Sequence, residues 1–117
     1  MATIKEFLAR INTIEGVAGC LLVKNDGHLL AHLVDGPGDY SSLIALCSKY
    51  ALTIMDTSGF SFFRSLSFAQ GKGQGFHIFP LQQYYLGVIQ QPDYPVEKII
   101  THVNQILSHV KTGSSKK

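Results

Sequence analysis

The sequence predicts an α/β (α+β) domain in which one five-stranded, mostly antiparallel sheet carries helices on both faces. Helical and extended hydrophobic patterns alternate along the chain in the order α-β-β-α-β-β-β-α. Most of the strands are joined by connections of hairpin length, which favours antiparallel pairing. Two segments, CLLV and YYLGVI, are apolar at consecutive positions, so both faces of those strands need cover.

Eight elements follow from these patterns. They are a helix over residues 3–13, strands Val17–Lys24 and His28–Leu33, a helix from Tyr40 to about Asp56, strands Phe60–Ala69, Phe76–Leu81 and Tyr84–Gln90, and a helix ending near Lys111. Thr3 and Glu6 form a capping box for the first helix. Gly27 provides the positive φ that a tight turn between the first two strands requires. Asp39 is a competent N-cap for the second helix.

Local signals in the second half refine these elements. The segment FSFFRSLSFA places Phe60, Phe62, Leu66 and Phe68 on one face and Ser61, Phe63, Ser65 and Ser67 on the other, which is typical of a strand. Pro80 cannot donate to a ladder, so its strand is expected to end early or to lie at an edge. Pro95 suits the first turn of the last helix. We therefore expect a single domain over residues 3–111, followed by a disordered tail at 112–117.

Composition excludes several functional classes. The net charge of +2 equals the charge of the last two lysines, so the remaining chain is neutral and carries no electrostatic footprint for nucleic acid or an anionic membrane. No apolar run reaches the roughly 18–20 residues of a membrane span. Cys20 and Cys47 lie in apolar surroundings, which favours reduced, buried thiols in a cytoplasmic protein.

Two observations indicate self-association. Charged residues make up only 15% of the chain, against about 25% in ordinary soluble domains. The apolar arc of the second helix spans roughly 180°, wider than the ~100° stripe of a helix that packs on one side. A neighbouring loop could absorb this extra width, but we favour contact with another molecule. The strand containing Phe63 and Arg64 is of a type that pairs with its own copy at an edge.

The sequence predicts no catalytic residue, no metal site and no cofactor. His28 and His32 lie four apart on a predicted strand, roughly 13 Å from each other, which is too far to share one metal ion. The segment GKGQG lacks the spacing of a phosphate-binding loop and opens no helix. The carboxylates are scattered, and neither cysteine has an activating base in view. The chain is therefore expected not to be an enzyme.

The segment IEGVAGCLLVKNDGHLLA, residues 14–31, resembles the opening signature of the Roadblock family, which includes dynein light chains and bacterial regulators of gliding GTPases. The matching positions are Gly16, Val17, Gly19, Leu21, Val23 and Gly27. The element order matches the family over about residues 3–111. Longin and profilin-like domains share a related architecture.

The resemblance implies a homodimer with no chemistry of its own that binds a small Ras-like GTPase or a scaffold protein. The middle helices would pack side by side, and the third strands would pair across the two-fold axis. The residues implied in this contact, here called the self-contact set, are Leu43, Leu46, Cys47, Tyr50, Ile54, Phe62, Phe63, Arg64 and Leu66. The residues facing the partner protein, here called the partner row, are Ser42, Ala45, Lys49, Leu52 and Asp56.

An alternative function is a small-ligand sensory domain of similar shape. Its pocket would be lined by aromatic side chains and by the glycine-rich loop before the fourth strand. The aromatic residues in question are Phe76, Phe79, Tyr84 and Tyr85.

Overall fold

In a computed structural model, the protein is described over residues 4–34, 37–60, 63, 65–69, 75–81, 83–92 and 94–115. The elements are α1 (Ile4–Asn12), β1 (Val17–Lys24), β2 (Leu29–Leu33), α2 (Pro37–Ser58), β3 (Leu66–Ala69), β4 (Gly75–Leu81), β5 (Tyr84–Gln90) and α3 (Val96–Ser115). The predicted element order and the predicted α/β fold class are confirmed. Thr3, the predicted cap of α1, lies outside the described residues.

The five strands form one sheet in the order β2-β1-β5-β4-β3, and every neighbouring pair is antiparallel. The β1–β2 turn has the predicted form, since Gly27 has a φ of 97° and its N–H donates to the Lys24 carbonyl oxygen at 2.9 Å. β1 then pairs with β5, from Val17 opposite Gln90 to Lys24 opposite Tyr84. This topology leaves β2 and β3 as the two edges of the sheet.

Helices α1 and α3 cover one face of the sheet. Their buried side chains form one continuous core with alternate residues of the strands: Phe7, Leu8, Ile11, Val17, Cys20, Leu22, Phe79, Leu81, Leu86, Val88, Ile99, Val103 and Leu107. Alternation along the strands directs these residues to the same side. We call this side the two-helix face.

Helix α2 packs on the opposite face, which we call the one-helix face. The buried residues there are Leu21, Val23, Ile44, Phe76, Ile78 and Ile89. Gly87 of β5 permits the close approach of α2, because a Cβ at this position would lie 2.9 Å from Ile44 and 2.7 Å from Leu21. The expected division, with the terminal helices on one face and the middle helix on the other, is confirmed.

The start of α2 differs from the prediction. The helix begins at Pro37, so Asp39 lies in its first turn and is not the N-cap. Proline suits the first helical position because its fixed φ matches the helix and its missing N–H would have had no partner there. A carboxylate in the first turn still interacts favourably with the helix dipole.

The third strand is shorter than predicted. β3 contains four residues, Leu66–Ala69, and the strand prediction was wrong for Phe60, Phe63 and Ser65. Residues 61, 62 and 64 lie outside the described residues. An alternating pattern alone does not make a strand, since backbone groups also need a partner along the same length.

Pro80 is accommodated differently from either expectation. β4 continues to Leu81 and lies inside the sheet, with Pro80 opposite Tyr85 of β5. On its other side the described ladder with β3 runs from Ala69 opposite Gly75 to Leu66 opposite Ile78.

Helix α3 continues to Ser115, beyond the expected end near Lys111, so residues 112–115 are helical where a disordered tail was predicted. This segment contains no proline, and a single glycine costs a helix only about 1 kcal/mol. β2 begins at Leu29 and not at His28, because Asp26 Oδ1 holds the His28 N–H in the turn. Within the described ranges, no helix is long and apolar enough to cross a membrane.

Candidate interaction surface

Helix α2 divides into a buried stripe and two exposed flanks. The stripe contains Ile44, Ser48 and Ala51, spaced three to four residues apart so that they lie on one side. Ser48 is the buried polar member, and its hydroxyl donates to the Ala45 carbonyl oxygen at 2.9 Å. The apolar arc of α2 is therefore wider than the part that the sheet covers.

The two flanks point toward opposite edges of the sheet. On one flank, the ring of Tyr40 lies 5.3 Å from that of Phe76 in β4. On the other flank, the Cβ of Ala45 would lie 3.8 Å from a Cβ placed on Gly27 in the β1–β2 turn. The first flank therefore faces the β3 edge, and the second faces the β2 edge.

The flank that faces β3 carries the α2 members of the self-contact set. Leu46 is 50% exposed, and Tyr50 and Ile54 are each 61% exposed. Leu43 is also exposed, while Cys47 is half-buried. Four apolar side chains along one helix flank make a continuous exposed stripe, which is unusual on a solitary domain.

Edge strand β3 extends this apolar stripe. Phe68 and Leu66 lie opposite Phe76 and Ile78, so they point to the one-helix face; Phe68 is 47% exposed and Leu66 is half-buried. Phe63 is half-buried and stacks on Tyr85 with ring centroids 6.3 Å apart. Phe62 and Arg64, the remaining members of the self-contact set, lie outside the described residues.

The partner row lies on the outward side of α2 and on the flank toward β2. All five of its members, Ser42, Ala45, Lys49, Leu52 and Asp56, are exposed. Leu52 is its largest apolar member and is 59% exposed. The row therefore presents one apolar anchor among two opposite charges, and it borders the self-contact set at Leu46, which lies four residues from Ser42 and three from Lys49.

The two thiols are suited to packing and not to chemistry. Cys20 is fully buried and its thiol donates to the Leu8 carbonyl oxygen at 3.3 Å. Burial raises the pKa of Cys20 to about 12, and burial also raises the pKa of Cys47. A nucleophilic cysteine needs the opposite shift.

His28 and His32, the histidines considered as metal ligands, make separate contacts. His28 Nδ1 lies 3.0 Å from Asp26 Oδ1 on the surface, and His32 Nδ1 lies 3.1 Å from the Val34 carbonyl oxygen. In the part of the chain that the structure describes, no group of three His, Cys, Asp or Glu residues could hold a metal ion.

The aromatic residues of the alternative, ligand-binding function do not line one pocket. Phe79 and Tyr84 pack on the two-helix face, whereas Phe76 and Tyr85 pack on the one-helix face. The sheet separates the two pairs, and Phe79 is fully buried in the core. This expectation was wrong because neighbouring strand residues point to opposite faces. The glycine-rich loop at 70–74 lies outside the described residues.

A polar chain on the two-helix face, which links the exposed Ser67 to the buried His77 and Gln90, was missed in the sequence. His77 is 1% exposed, and its Nδ1 and Nε2 lie 2.7 Å from Ser67 Oγ and from Gln90 Oε1 respectively. Gln90 Nε2 donates to the Tyr94 carbonyl oxygen. Gln90 therefore offers its oxygen to His77 Nε2–H, and Nδ1 accepts from the Ser67 hydroxyl. A polar residue inside the apolar strand GFHIFPL was the available signal.

Comparison with solved structures places this architecture among known proteins. The chain is similar to a Roadblock/LC7 domain from Streptomyces avermitilis, with 8% identity, a TM-score of 0.80, and coverage of 97% of this chain and 99% of that one. It is similar to MglB from Myxococcus xanthus, with 13% identity, a TM-score of 0.78, and coverage of 99% and 100%.

It is also similar to the gliding protein MglB from Thermus thermophilus, with 18% identity, a TM-score of 0.75, and coverage of 88% and 82%. No protein-family model and no curated protein matches the sequence. At these identities the likeness concerns the fold.

Proposed function

We propose that this chain, which has the Roadblock/LC7 fold, is a non-catalytic, homodimeric interaction module of the cytoplasm that docks or regulates a small Ras-like GTPase, or serves as a scaffold light chain. The single observation that carries the proposal is the exposed apolar flank of α2 beside the edge strand β3. The GTPase class comes from the sequence resemblance, and the structural neighbours include MglB gliding proteins.

The proposed self-contact follows because the described residues leave this apolar surface uncovered. Leu46, Tyr50 and Ile54 are each at least half exposed on one side of α2, and the open edge of β3 lies beyond them. A second α2, related by a two-fold axis, would bury both stripes, because the same patch then meets itself. The two β3 edges would satisfy each other's free backbone groups. One MglB structure with this fold has a tetrameric arrangement.

The partner row is the surface left for a different protein. Once the self-contact set is covered, Leu52 remains as an exposed anchor, with Lys49 and Asp56 beside it. Apolar anchors ringed by polar residues are typical of binding sites on proteins. A module of this kind would alter GTP hydrolysis by positioning the switch segments of its partner and not by donating a residue.

The test uses two matched variants on one helix. Light scattering of the wild type is expected to give twice the 12.8 kDa mass of the chain. Leu46→Arg is expected to give the monomer mass, because a charge would enter the self-contact. Leu52→Arg is expected to remain dimeric and to lose capture of its partner from a panel of small GTPases loaded with GDP or a non-hydrolysable GTP analogue.

Several outcomes would contradict the proposal. A monomeric wild type at about 100 μM would remove the homodimer, since specific interfaces of standard size associate well below that concentration. Unchanged capture by Leu52→Arg would remove the partner row. Circular dichroism of both variants controls for loss of fold.

A further inference from the structure

We propose that the hydrogen-bonded chain Ser67–His77–Gln90 restricts β3 to registers that place a serine opposite His77, and so limits how its free edge meets a second copy. The inference rests on the homodimer proposed above. It assigns a positioning role to three residues that belong neither to the self-contact set nor to the partner row.

The edge strand needs such a device because its own pattern does not define its position. β3 has four residues and pairs only with β4 in the described sheet. Serine occupies positions 65 and 67, and apolar residues occupy 66 and 68. A shift of β3 by two residues would therefore keep serine on one face and apolar side chains on the other.

His77 disfavours every register that does not place a serine opposite it. It lies directly opposite Ser67 in the ladder and is 1% exposed. A shift by one residue would turn Ser67 to the other face, and a shift by two in one direction would bring Ala69 opposite His77. In both cases the Nδ1 atom of the buried His77 would lose the Ser67 hydroxyl as its donor, which disfavours such registers about tenfold.

Gln90 holds the His77 imidazole in the orientation in which Nδ1 faces Ser67 of β3. Its amide nitrogen donates to the Tyr94 carbonyl oxygen, so its oxygen must face His77 Nε2–H. Gln90 is itself 5% exposed and belongs to β5, the strand beyond β4. The position of the edge strand is thus tied to the centre of the sheet and not only to its immediate neighbour.

One alternative register keeps the hydrogen bond. A shift by two residues in the other direction would bring Ser65 opposite His77 and move β3 by about 6.8 Å along its axis. Removing the Ser67 hydroxyl is therefore expected to favour this register. Phe68 would then move relative to the exposed flank of α2, and a second copy would no longer meet both surfaces at once.

The experiment compares Ser67→Ala with Ser65→Ala in the full chain. These are the same substitution two residues apart on one face, and only Ser67 bonds His77. Interstrand NMR contacts report the register, and imidazole ¹⁵N shifts report whether Nδ1 accepts a hydrogen bond. Sedimentation reports the dimer dissociation constant.

We expect Ser65→Ala to keep Phe68 opposite Phe76 and to change the dissociation constant less than twofold. Ser67→Ala is expected to bring Leu66 opposite Phe76 and to weaken the dimer at least about tenfold. The double variant is expected to lose amide protection in β3, because no serine then reaches His77. Val103→Ala, a cavity in the same core, is expected to lower the melting temperature without changing the register.

The inference is overturned if Ser67→Ala keeps the original register, or if Val103→Ala disturbs β3 equally. Failure of the homodimer gives a different result. A monomeric wild type whose β3 still shifts in Ser67→Ala would overturn the proposed dimer and leave the role of His77 in the register intact.

Discussion

The helices bury the two faces of the sheet to different extents. On the two-helix face, α1 and α3 bury residues from β1, β4 and β5 in one core, with Phe79, Leu86 and Val88 fully buried. On the one-helix face, α2 contacts β1, β2 and β5, while Phe68 of β3 remains 47% exposed. Both faces belong to the same five strands, so the sheet itself does not cause the difference.

Exposed apolar side chains are concentrated on the face where one helix covers a sheet wide enough for two. The side chains left exposed on α2 lie on the flank that faces β3, next to the position that a second helix would occupy. Under the proposed function, the α2 of a second copy takes that position. Each prediction below changes one face and uses a site elsewhere as its reference.

The largest effect is expected from a cavity on the two-helix face. Phe79→Ala should lower the free energy of unfolding by about 3–5 kcal/mol, because Phe79 is fully buried. Leu46→Ala on α2, at 50% exposure, should change the stability of the monomer by less than about 0.5 kcal/mol. Urea unfolding, at a protein concentration too low for dimer formation, measures both changes in the free energy of unfolding. Equal losses would contradict the contrast between the faces.

The two thiols should differ strongly in reactivity. With its pKa raised to about 12 against an ordinary 9.0, Cys20 carries about a thousandfold less thiolate near neutral pH. In the monomer, at a protein concentration too low for dimer formation, Cys47, half-buried on α2, should react with a disulfide reagent at pH 8 at least about a hundredfold faster. Cys47→Ser assigns the fast phase. Two thiols reacting at one rate would mean that both faces open together.

A smaller effect is expected where Tyr94 closes over the start of β1. Gly16 and Gly59 have φ values of 95° and 82°, so alanine is strained at both sites. A Cβ on Gly16 would also clash with the ring of Tyr94, whereas no atom of the described residues lies within 4 Å of a Cβ on Gly59. Gly16→Ala should cost about 2–3 kcal/mol and Gly59→Ala about 1 kcal/mol, from thermal unfolding. The reverse order would contradict the contact with Tyr94.

The smallest effect concerns the β1–β2 turn, which belongs to neither core. Hydrogen bonds from the His28 backbone and side chain lower the pKa of Asp26 from its ordinary 3.8. Its stabilising contribution is therefore complete above that ordinary value and is lost as the pH falls through the lowered pKa. Carboxyl ¹³C shifts should report the lowered pKa, and Asp26→Asn should remove this acid-dependent loss of stability. An unshifted Asp26 titration would contradict the turn geometry.

Local sequence signals predicted most of the fold. The bounds of β1 and β5 agree with the prediction, because turn residues and apolar runs end at the same positions. The resemblance to the Roadblock family is confirmed at the level of the fold. β3 was predicted too long because alternation was visible in the sequence, whereas the length of the available ladder on β4 was not.

The candidate surface was only partly within reach of the sequence. The excess width of the apolar arc on α2 predicted that this helix carries more apolar surface than one side can cover, because the helical period converts spacing into direction. The chain from Ser67 through His77 to Gln90 could not be predicted. It depends on the register of three strands, and register is a property of the assembled sheet.

The long connection between β1 and β5 has a consequence for synthesis. Val17 pairs with Gln90, so the middle of the sheet stays open until the ribosome has delivered the chain as far as β5. Until then, mainly α1 and α2 are available to cover the leucines of the β1–β2 hairpin. Unpaired strands of this kind are prone to aggregation. Nascent chains are therefore expected to depend on chaperone protection until β5 emerges.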